Sequence, residues 1–556
     1  MLKIFFFSIV IILYQSASYS KKSDTNLFNQ KYLSNYFSAL ISFNNQNNDK
    51  SIKYFNLSKT LKKNHDKFLE KYVFSLVEND EIEKAIKEIK LSRNENAKNF
   101  YHAKILLIIN EIKNDNLLNA KIILNELKNL SAENTFELII SEIIESYIDL
   151  FLTNNINKSL KDFGKLGLIT KAFQACYINS DNSLKYFDEI INTDDGDYSR
   201  YLYFYFYNLV EKNRFDEVTT TSRSINSLNS NLLTSQSKKW INIGEFEKFS
   251  EYFSCSSKED LISEFFFLIS NLYSSQNNFI FSNFYLKLSL YLNTKFYFNY
   301  SLLAENYYLQ ENYELSKKIL NKFNKNNEIY EWYKVKRTAQ IIDLTEGKNN
   351  SLKYVENNFK KINDPSAKIL FDLANIYKNF KNYEKSIKYY NLVLSKLDPK
   401  SISYADTIYR RGSSYERMGN YNKSDSDLTL SLKLNPDDPY VLNYLAYSWL
   451  ERNYNLNIAV EMLLKAHNQK KNDPYITDSL GWAYFLIGDY EKAEEYLKAA
   501  IEISPDDPVI MDHYGDTLWY LGRKLQANYF WKNSLSVDKD NDLDRNKIKS
   551  KLINGL

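Results

Sequence analysis

Histidine and cysteine are the residues of this chain whose chemistry could hold a metal ion or supply a nucleophile. No two of the four histidines are four residues apart, the spacing that places two metal ligands on one face of a helix. They are His65, His102, His467 and His513. The two cysteines form no CxxC motif, and the sequence contains neither a Gly-rich phosphate loop nor a nucleophile elbow. The sequence therefore predicts no metal ion, no cofactor and no local catalytic motif.

The densest group of ionisable residues is the segment Asp512-His513-Tyr514-Gly515-Asp516, which resembles a site at first glance. Tyr514 and Gly515, however, fall on positions that recur at a fixed interval along the chain. We therefore interpret the segment as repeat sequence. The sequence does not test for a catalytic triad assembled from residues that are distant in sequence. The alternative function is therefore a repeat-containing envelope enzyme with its site in the irregular region 130–260.

The recurring positions define a repeat, because residues 474–507 match residues 508–541 at a period of 34 residues. The first copy carries Leu480, Gly481, Tyr484, Gly488, Ala493, Leu497 and Ala500, and the second carries Tyr514, Gly515, Leu518, Gly522, Ala527, Trp531 and Ser534. A period of this size indicates stacked supersecondary units. In the same phase, eight units begin near residues 263, 297, 331, 367, 405, 439, 474 and 508, and the unit at 331 has the weakest pattern.

The residue types predict two helices in each unit. A small residue is expected where the helices cross, because a large one would overpack the crossing by roughly 1–3 kcal/mol; these residues are Ala304, Ala374, Gly412, Ala446, Gly481 and Gly515. Gly419, Gly488 and Gly522 are expected to end first helices in a left-handed turn. Asp438, Asp473 and Asp507 each precede a proline and are placed to cap the next helix.

This pattern resembles the tetratricopeptide repeat. The resemblance implies an all-α fold, a right-handed superhelical solenoid of antiparallel helix pairs. Three further segments, residues 443–447, 478–482 and 512–516, together with Tyr529-Phe530-Trp531, look like the C-terminal half of long exported tetratricopeptide proteins of Gram-negative bacteria. Relatives of that kind are proteins of the cell envelope, so the resemblance implies a non-catalytic scaffold in envelope assembly.

Four regions are predicted along the chain. Residues 1–20 read as a signal peptide, 21–262 as degenerate repeats, 263–541 as the eight repeat units, and 542–556 as a C-terminal tail. In the degenerate part the spacing of a second helix recurs around Ala85 and Ile89, and again around Ala120 and Leu124. The aromatic run 201–209 has strand propensity, but its position before a turn motif predicts a helix.

Export is expected from the N-terminal residues. Lys3 is followed by an apolar run from Ile4 to Leu13, and Ser18-Tyr19-Ser20 predicts cleavage before Lys21 and a periplasmic protein. The alternative to cleavage is that the N-terminal segment stays uncleaved and anchors the protein, which is the one membrane attachment that the sequence predicts.

Because repeat units contact only their neighbours, we expect Cys176 and Cys255 to remain buried thiols rather than a disulfide. A net charge of +3 from 72 basic and 69 acidic residues gives the protein no global positive field. Nucleic-acid binding would need a concentrated basic stripe, so nucleic acid is not an expected partner.

The family resemblance places the first helix of each unit on the concave wall, where a protein or peptide partner would bind. By phase, the candidate contact residues in this groove are Tyr447, Tyr475, Asp478, Trp482, Phe485, Asp512, Asp516, Trp519 and Tyr520. Aromatic residues beside carboxylates suit a recognition surface. The alternative is that Trp482 and Trp519 only pack between units. The carboxylate clamp of chaperone-binding relatives is not expected, because its positions hold Tyr409, Ser413, Tyr444, Tyr475 and Ser479.

Overall fold

The computed structural model describes residues 30–63, 65–131, 134–156, 161–193, 197–226, 228–323, 327–538 and 543–556. All regular elements within these ranges are helices, which confirms the predicted all-α class. None of the helices found there is both long enough and apolar enough to cross a bilayer. The predicted signal peptide lies outside the described residues. The chain forms two compact units: unit 1 comprises residues up to Thr219 together with Asn231–Gly347, and unit 2 comprises Thr220–Ser230 and Lys348–Leu556.

Unit 2 contains five successive antiparallel helix pairs. Numbering α-helices along the whole chain, unit 2 contains α20 (Lys348–Phe359), α21 (Ala367–Asn379), α22 (Tyr383–Leu394), α23 (Ile402–Arg417), α24 (Tyr421–Leu434), α25 (Pro439–Glu451), α26 (Leu456–Gln469), α27 (Pro474–Leu486), α28 (Tyr490–Ile503), α29 (Pro508–Tyr520), α30 (Lys524–Val537) and α31 (Arg545–Asn554). The pairs run from α21 with α22 to α29 with α30. This succession is that of a helical-repeat solenoid.

Local sequence explains where these helices begin and end. Asp473 accepts hydrogen bonds from the backbone N–H groups of Tyr475 and Ile476, with Pro474 in the first turn, and Asp438 and Asp507 do the same for α25 and α29. The three predicted turn glycines adopt positive φ angles of 73°, 86° and 80°. A Cβ on Gly481 would lie 2.6 Å from Leu497 Cγ. The predicted caps, turns and close helix crossing are confirmed.

Unit 1 contains the remaining helices, which are less regular in length. They are α1 (Gln30–Asn44), α2 (Asn48–Leu57), α3 (Asp66–Glu78), α4 (Ile82–Lys90), α5 (Glu95–Lys98), α6 (Tyr101–Lys113), α7 (Leu117–Ser131), α8 (Thr135–Thr153), α9 (Lys165–Tyr177), α10 (Asn182–Ile191), α11 (Tyr201–Glu211), α12 (Phe215–Ser224, which runs on into unit 2), α13 (Leu232–Ile243), α14 (Lys248–Tyr252), α15 (Lys258–Ser275), α16 (Phe279–Leu292), α17 (Tyr300–Leu309), α18 (Tyr313–Leu320) and α19 (Glu328–Glu346). Helix α11 confirms that the aromatic run 201–209 is helical.

Unit 1 differs from an open repeat array because its early helices contact its late ones. The rings of Phe74 and Phe284 are 4.9 Å apart, and the ring of His102 stacks on Phe281 at 4.8 Å. Lys287 forms an ion pair of 2.6 Å with Asp80. These partners are separated by well over a hundred residues, so the rule that repeat units touch only their neighbours fails in unit 1.

The two cysteines form a disulfide, with Cα atoms 5.7 Å apart and a sequence separation of 79. The expectation of two buried thiols is therefore wrong. Phe204 of α11 explains the approach, because its ring packs at 4.9 Å on both Phe173 and Phe253, which lie close to the two cysteines. Asn208 of the same helix donates a hydrogen bond to Cys176 Sγ. Helix α11 thus holds both cysteine-bearing segments together.

The division between the units falls at Gly347, within the predicted repeat at 331. Its first helix, α19, belongs to unit 1, and its second, α20, belongs to unit 2. The predicted change in repeat regularity at 262/263 lies inside unit 1 instead. The weakness of the pattern at 331 therefore coincides with a boundary between compact units.

Candidate protein-binding surface of unit 2

The first helices of the five pairs in unit 2 present equivalent residues, which define a surface that we call the A-helix face. Three positions before each crossing residue stand Phe371, Tyr409, Asn443, Asp478 and Asp512, and one position after it stand Asn375, Ser413, Tyr447, Trp482 and Asp516. Six positions before it, on the same side of the helix, stand Lys368, Asp406, Tyr440, Tyr475 and Val509. Successive first helices are joined by hydrogen bonds. The Tyr444 hydroxyl donates to Glu416 at 3.0 Å, and His513 bonds to Asp478 at 2.9 Å.

The C-terminal end of the A-helix face is covered by α31. Lys551, whose side chain is only 3% exposed, donates hydrogen bonds of 2.7–2.9 Å to the carboxylates of Asp512 and Asp516. Trp531 Nε1 also donates to Asp516, at 2.8 Å. Burial and the neighbouring charge of Asp512 raise the pKa of Asp516, although Lys551 opposes the rise. The two aspartates therefore have partners within the chain.

A buried charged pair lies one repeat earlier. His513 Nδ1 is 2.9 Å and 3.1 Å from the two carboxylate oxygens of Asp478, and both side chains are buried. Burial alone would lower the pKa of His513, but the charge and hydrogen bond of Asp478 outweigh it and raise the pKa. The pair thus joins α27 to α29, and Asp478 favours the charged form of His513.

Beside this pair lies a group of aromatic side chains, Trp482, Phe485, Tyr490 and Tyr520, which we call the aromatic cluster. Trp482 stacks on His513 at 4.1 Å and on Phe485 at 4.7 Å. Phe485 meets Tyr520 at 5.4 Å, and Tyr520 stacks on Tyr490 at 4.9 Å. Tyr520 is 52% exposed. In the described part of the chain, Trp482 Nε1 is buried without a hydrogen-bond partner, which is unusual for a polar group in a native protein.

The nine residues predicted as partner contacts divide into four sets. Trp482, Phe485 and Tyr520 belong to the aromatic cluster, Tyr475 is 59% exposed and Tyr447 is half-buried. Asp478, Asp512 and Asp516 are ion-paired within the chain. Trp519 instead packs on Trp531, with ring centroids 5.4 Å apart, and lies against Gly555. Trp519 therefore has packing partners within the chain.

Comparison with known proteins identifies the repeat. The family model described as tetratricopeptide repeat matches residues 303–537. Residues 303–537 of this chain are therefore tetratricopeptide repeat sequence. The chain is 34% identical over 109 residues to the TPR repeat-containing protein PA4667 of Pseudomonas aeruginosa, covering 20% of this chain and 18% of that protein. It is 26% identical over 118 residues to anaphase-promoting complex subunit 3 of Schizosaccharomyces pombe, covering 21% of this chain and 16% of that one. The chain thus spans less than a fifth of the length of these two relatives.

Among solved structures, a tetratricopeptide repeat protein from Parabacteroides merdae aligns with 52% of this chain and 97% of its own, at 16% identity and a TM-score of 0.33.

The tetratricopeptide positions that form a carboxylate clamp in some relatives are occupied differently here. The rings of Tyr409 and Tyr444 contact each other at 5.8 Å. Ser413 accepts a hydrogen bond from Lys378, and burial together with the charges of Arg410 and Arg417 lowers the pKa of that lysine to about 8.

Sequence reasoning missed Lys551, because α31 lies beyond the tetratricopeptide phase and was predicted only as a tail. A signal did exist, since Ile548, Lys551 and Leu552 have the i, i+3, i+4 spacing of a helix face. The two buried residues of this set, Ile548 and Lys551, face the repeat.

The region 130–260, where the alternative enzyme site was predicted, holds a buried ion pair at its edge. Arg200 binds Glu264 through two hydrogen bonds of 2.8 Å and 2.6 Å and also donates to Asn299. Its guanidinium lies 3.5 Å from the centre of the Phe267 ring. Through these bonds Arg200 joins the start of α11 to α15, so the ion pair contributes to the packing of unit 1. Across the described ranges, no three His, Cys, Asp or Glu residues converge as metal ligands.

A polar cavity of about 410 Å³ in unit 1 lies outside that region, lined in part by Glu78, Asp80, Lys287, Tyr307 and Lys322. Asp80 binds both Lys287 and Lys322, and the Tyr307 hydroxyl donates to Glu78 at 3.0 Å. Burial raises the pKa of Glu78 to about 7. These residues form ion pairs and hydrogen bonds with one another, and these bonds join the early and late helices of unit 1.

Proposed function

We propose that this protein is a non-catalytic exported scaffold that binds a protein partner on the A-helix face of unit 2 and acts in assembly of the cell envelope. Tetratricopeptide repeats are protein-interaction modules, and residues 303–537 match that family. The binding surface would be the part of the face that α31 leaves uncovered, namely Tyr475 and the aromatic cluster, with Tyr447 at its edge.

The observation that carries this proposal is the contrast between the charged and the aromatic residues of the face. The three aspartates have partners within the chain, whereas Tyr475 and Tyr520 are more than half exposed. Large aromatic side chains dominate the energy of protein interfaces. Trp482 adds a buried N–H group without a partner in the described structure. A partner is therefore expected to bind through aromatic contacts and to receive little attraction from charge.

Two tyrosines of similar exposure provide a matched test. Tyr475 on α27 is 59% exposed and Tyr529 on the second helix α30 is 62% exposed. Partners would be identified by crosslinking in envelope fractions followed by mass spectrometry. Tyr475→Ala should weaken partner capture by roughly 1–4 kcal/mol without changing the thermal midpoint, and Tyr529→Ala should leave both unchanged. Equal capture by the two variants would refute the proposed surface.

Trp482→Ala separates binding from packing at the centre of the aromatic cluster. A binding role predicts reduced capture with a nearly unchanged midpoint. Because Trp482 stacks on His513 and Phe485, a packing role predicts instead a midpoint drop with normal capture. That second outcome would assign Trp482 to the repeat core.

Export to the periplasm is supported by the apolar N-terminal sequence and by the disulfide between Cys176 and Cys255, because disulfides persist in oxidising compartments. The expected mature N-terminus is Lys21, and the mature chain should fractionate with soluble periplasmic proteins. N-terminal sequencing checks the cleavage site. An intact N-terminus in the membrane fraction would show an anchor instead.

A further inference from the structure

A short segment of this chain lies on the N-terminal end of the A-helix face. Residues Thr220–Ser230 precede α13 in sequence, yet they belong to unit 2. Leu228 is 2% exposed and packs in one cluster with Leu370, Phe371, Ala374 and Tyr390. Residues 228–230 form no helix. Unit 2 therefore buries a leucine from a non-helical segment more than a hundred residues away in sequence.

The contacts of this segment include backbone and side-chain recognition. Lys368 Nζ donates to the carbonyl oxygens of Leu228 and Ser230, at 2.7 Å and 3.1 Å. Asn229 donates to Asp406 at 2.7 Å, and Asn226 accepts from the Ser403 hydroxyl at 2.9 Å. A charged donor on backbone carbonyls makes strong bonds to any sequence, whereas the buried leucine and the two asparagines select particular side chains.

The contact residues occupy the same repeat positions as the predicted binding wall. Lys368 and Asp406 each stand six residues before a crossing residue, Ala374 and Gly412, and Tyr475 stands six residues before Gly481. Phe371 is the equivalent of Asp478 and Asp512. The segment thus uses positions that lie on the A-helix face in every pair, and one of them is more than half exposed at Tyr475.

We propose that α21 and α23 form a binding site for a short non-helical peptide with a leucine anchor flanked by asparagine, and that Asn226 and residues 228–230 occupy this site as an exchangeable internal ligand. The inference rests on the proposed role of the A-helix face in partner binding and names the peptide chemistry that this end of the face selects. A partner segment of that chemistry competes with this internal ligand, so the apparent affinity of the partner for the intact chain is lowered.

The test uses a fluorescent peptide of residues 222–232, Ser-Arg-Ser-Ile-Asn-Ser-Leu-Asn-Ser-Asn-Leu, and the full mature chain. Leu228→Ser in the protein should free the site and raise peptide affinity roughly tenfold or more over wild type, since tenfold corresponds to about 1.4 kcal/mol. Adding Lys368→Met to that variant should reduce binding roughly tenfold, because it removes two charge-assisted bonds. Lys388→Met, on the exposed side of α22, is the matched control and should leave binding unchanged.

Asn229→Ala is a milder second variant that keeps Leu228 buried and removes only the bond to Asp406, so its peptide affinity should lie between wild type and Leu228→Ser. A peptide with serine in place of the leucine that corresponds to Leu228 should not bind. If the folded Leu228→Ser and Asn229→Ala variants bind the peptide no better than wild type, the inference is wrong. Loss of capture in Tyr475→Ala tests the proposed function separately, because Tyr475 makes no contact in this site's hydrogen-bond set.

Discussion

Unit 1 and unit 2 are both built from helix pairs, but different contacts hold them together. In unit 2 the contacts that join successive pairs span about one repeat, such as Asp478 with His513, 35 residues apart. In unit 1, Tyr307 reaches Glu78 across 229 residues, and the disulfide joins residues 79 apart. The comparison shows that repeat sequence predicts the contacts between neighbouring pairs in unit 2, whereas in unit 1 it does not predict the contacts between distant segments.

This difference predicts different responses to damage. In unit 2 a local defect should destabilise the repeat that carries it and its immediate neighbours, as in a quasi-one-dimensional array. In unit 1, distant segments share one core, so a single change should affect helices far apart in sequence. Hydrogen exchange followed by mass spectrometry distinguishes the units, because peptides around Phe284 report on unit 1 and peptides around Leu497 report on unit 2.

The largest expected effect comes from removing the disulfide. The double variant Cys176→Ser/Cys255→Ser should lower the free energy of unfolding of unit 1 by about 2–4 kcal/mol, because the closed loop restricts the unfolded chain. Unit 2 should keep its protection. A reducing agent should produce the same loss in wild type and no further loss in the double variant. Unchanged protection around Phe284 would contradict the prediction.

Gly481→Leu tests unit 2 in the same assay. The new side chain would meet Leu497 Cγ at 2.6 Å and the backbone nitrogen of Leu497 at 3.1 Å, so overpacking should cost about 1–3 kcal/mol. Protection should fall around α27 and α28 and remain in unit 1. Glu495→Leu, on the exposed side of α28, introduces the same side chain without the clash and serves as the control. Loss of protection in both units together would remove the distinction drawn between them.

Acid should weaken unit 1 through His102. Burial among Phe74, Phe281 and Phe284, with a smaller contribution from Lys71, lowers the pKa of His102 to about 3. Below pH 6.5 the unfolded chain binds a proton that the folded one does not, so stability should fall by about 1.4 kcal/mol per pH unit. Glu78 acts in the opposite direction, because its raised pKa makes the folded state take up the proton. The difference between wild type and His102→Phe isolates the histidine, and equal pH slopes would count against it.

The smallest expected effect is the contribution of His513 to the stability of unit 2, which should fall as the pH rises, whereas the contribution of His102 to unit 1 falls as the pH drops. Because the folded pKa of His513 is raised above 6.5, the pair with Asp478 contributes its full stability below pH 6.5 and loses it as pH rises through the raised value. Denaturation of wild type and His513→Gln at pH 6 and pH 8.5 measures this contribution. The stability advantage of wild type should shrink at the higher pH. An advantage that grows with pH would mean that His513 is neutral in the fold.

The amino-acid sequence by itself determined the parts of the structure that depend on residues within about one repeat. The caps at Asp473 and Asp507, the turn at Gly488 and the close crossing at Gly481 follow from the steric and hydrogen-bonding preferences of those residues. The positions of the A-helix face follow from the same phase.

Only the tertiary structure decided which of those positions are available and how unit 1 closes. Lys551 covers Asp512 and Asp516, Leu228 lies on α21, and Cys176 meets Cys255, although none of these pairings belongs to the repeat period. The physical reason is that periodicity records which side of a helix is buried, whereas a contact between distant segments depends on the complete packing of the helices between them.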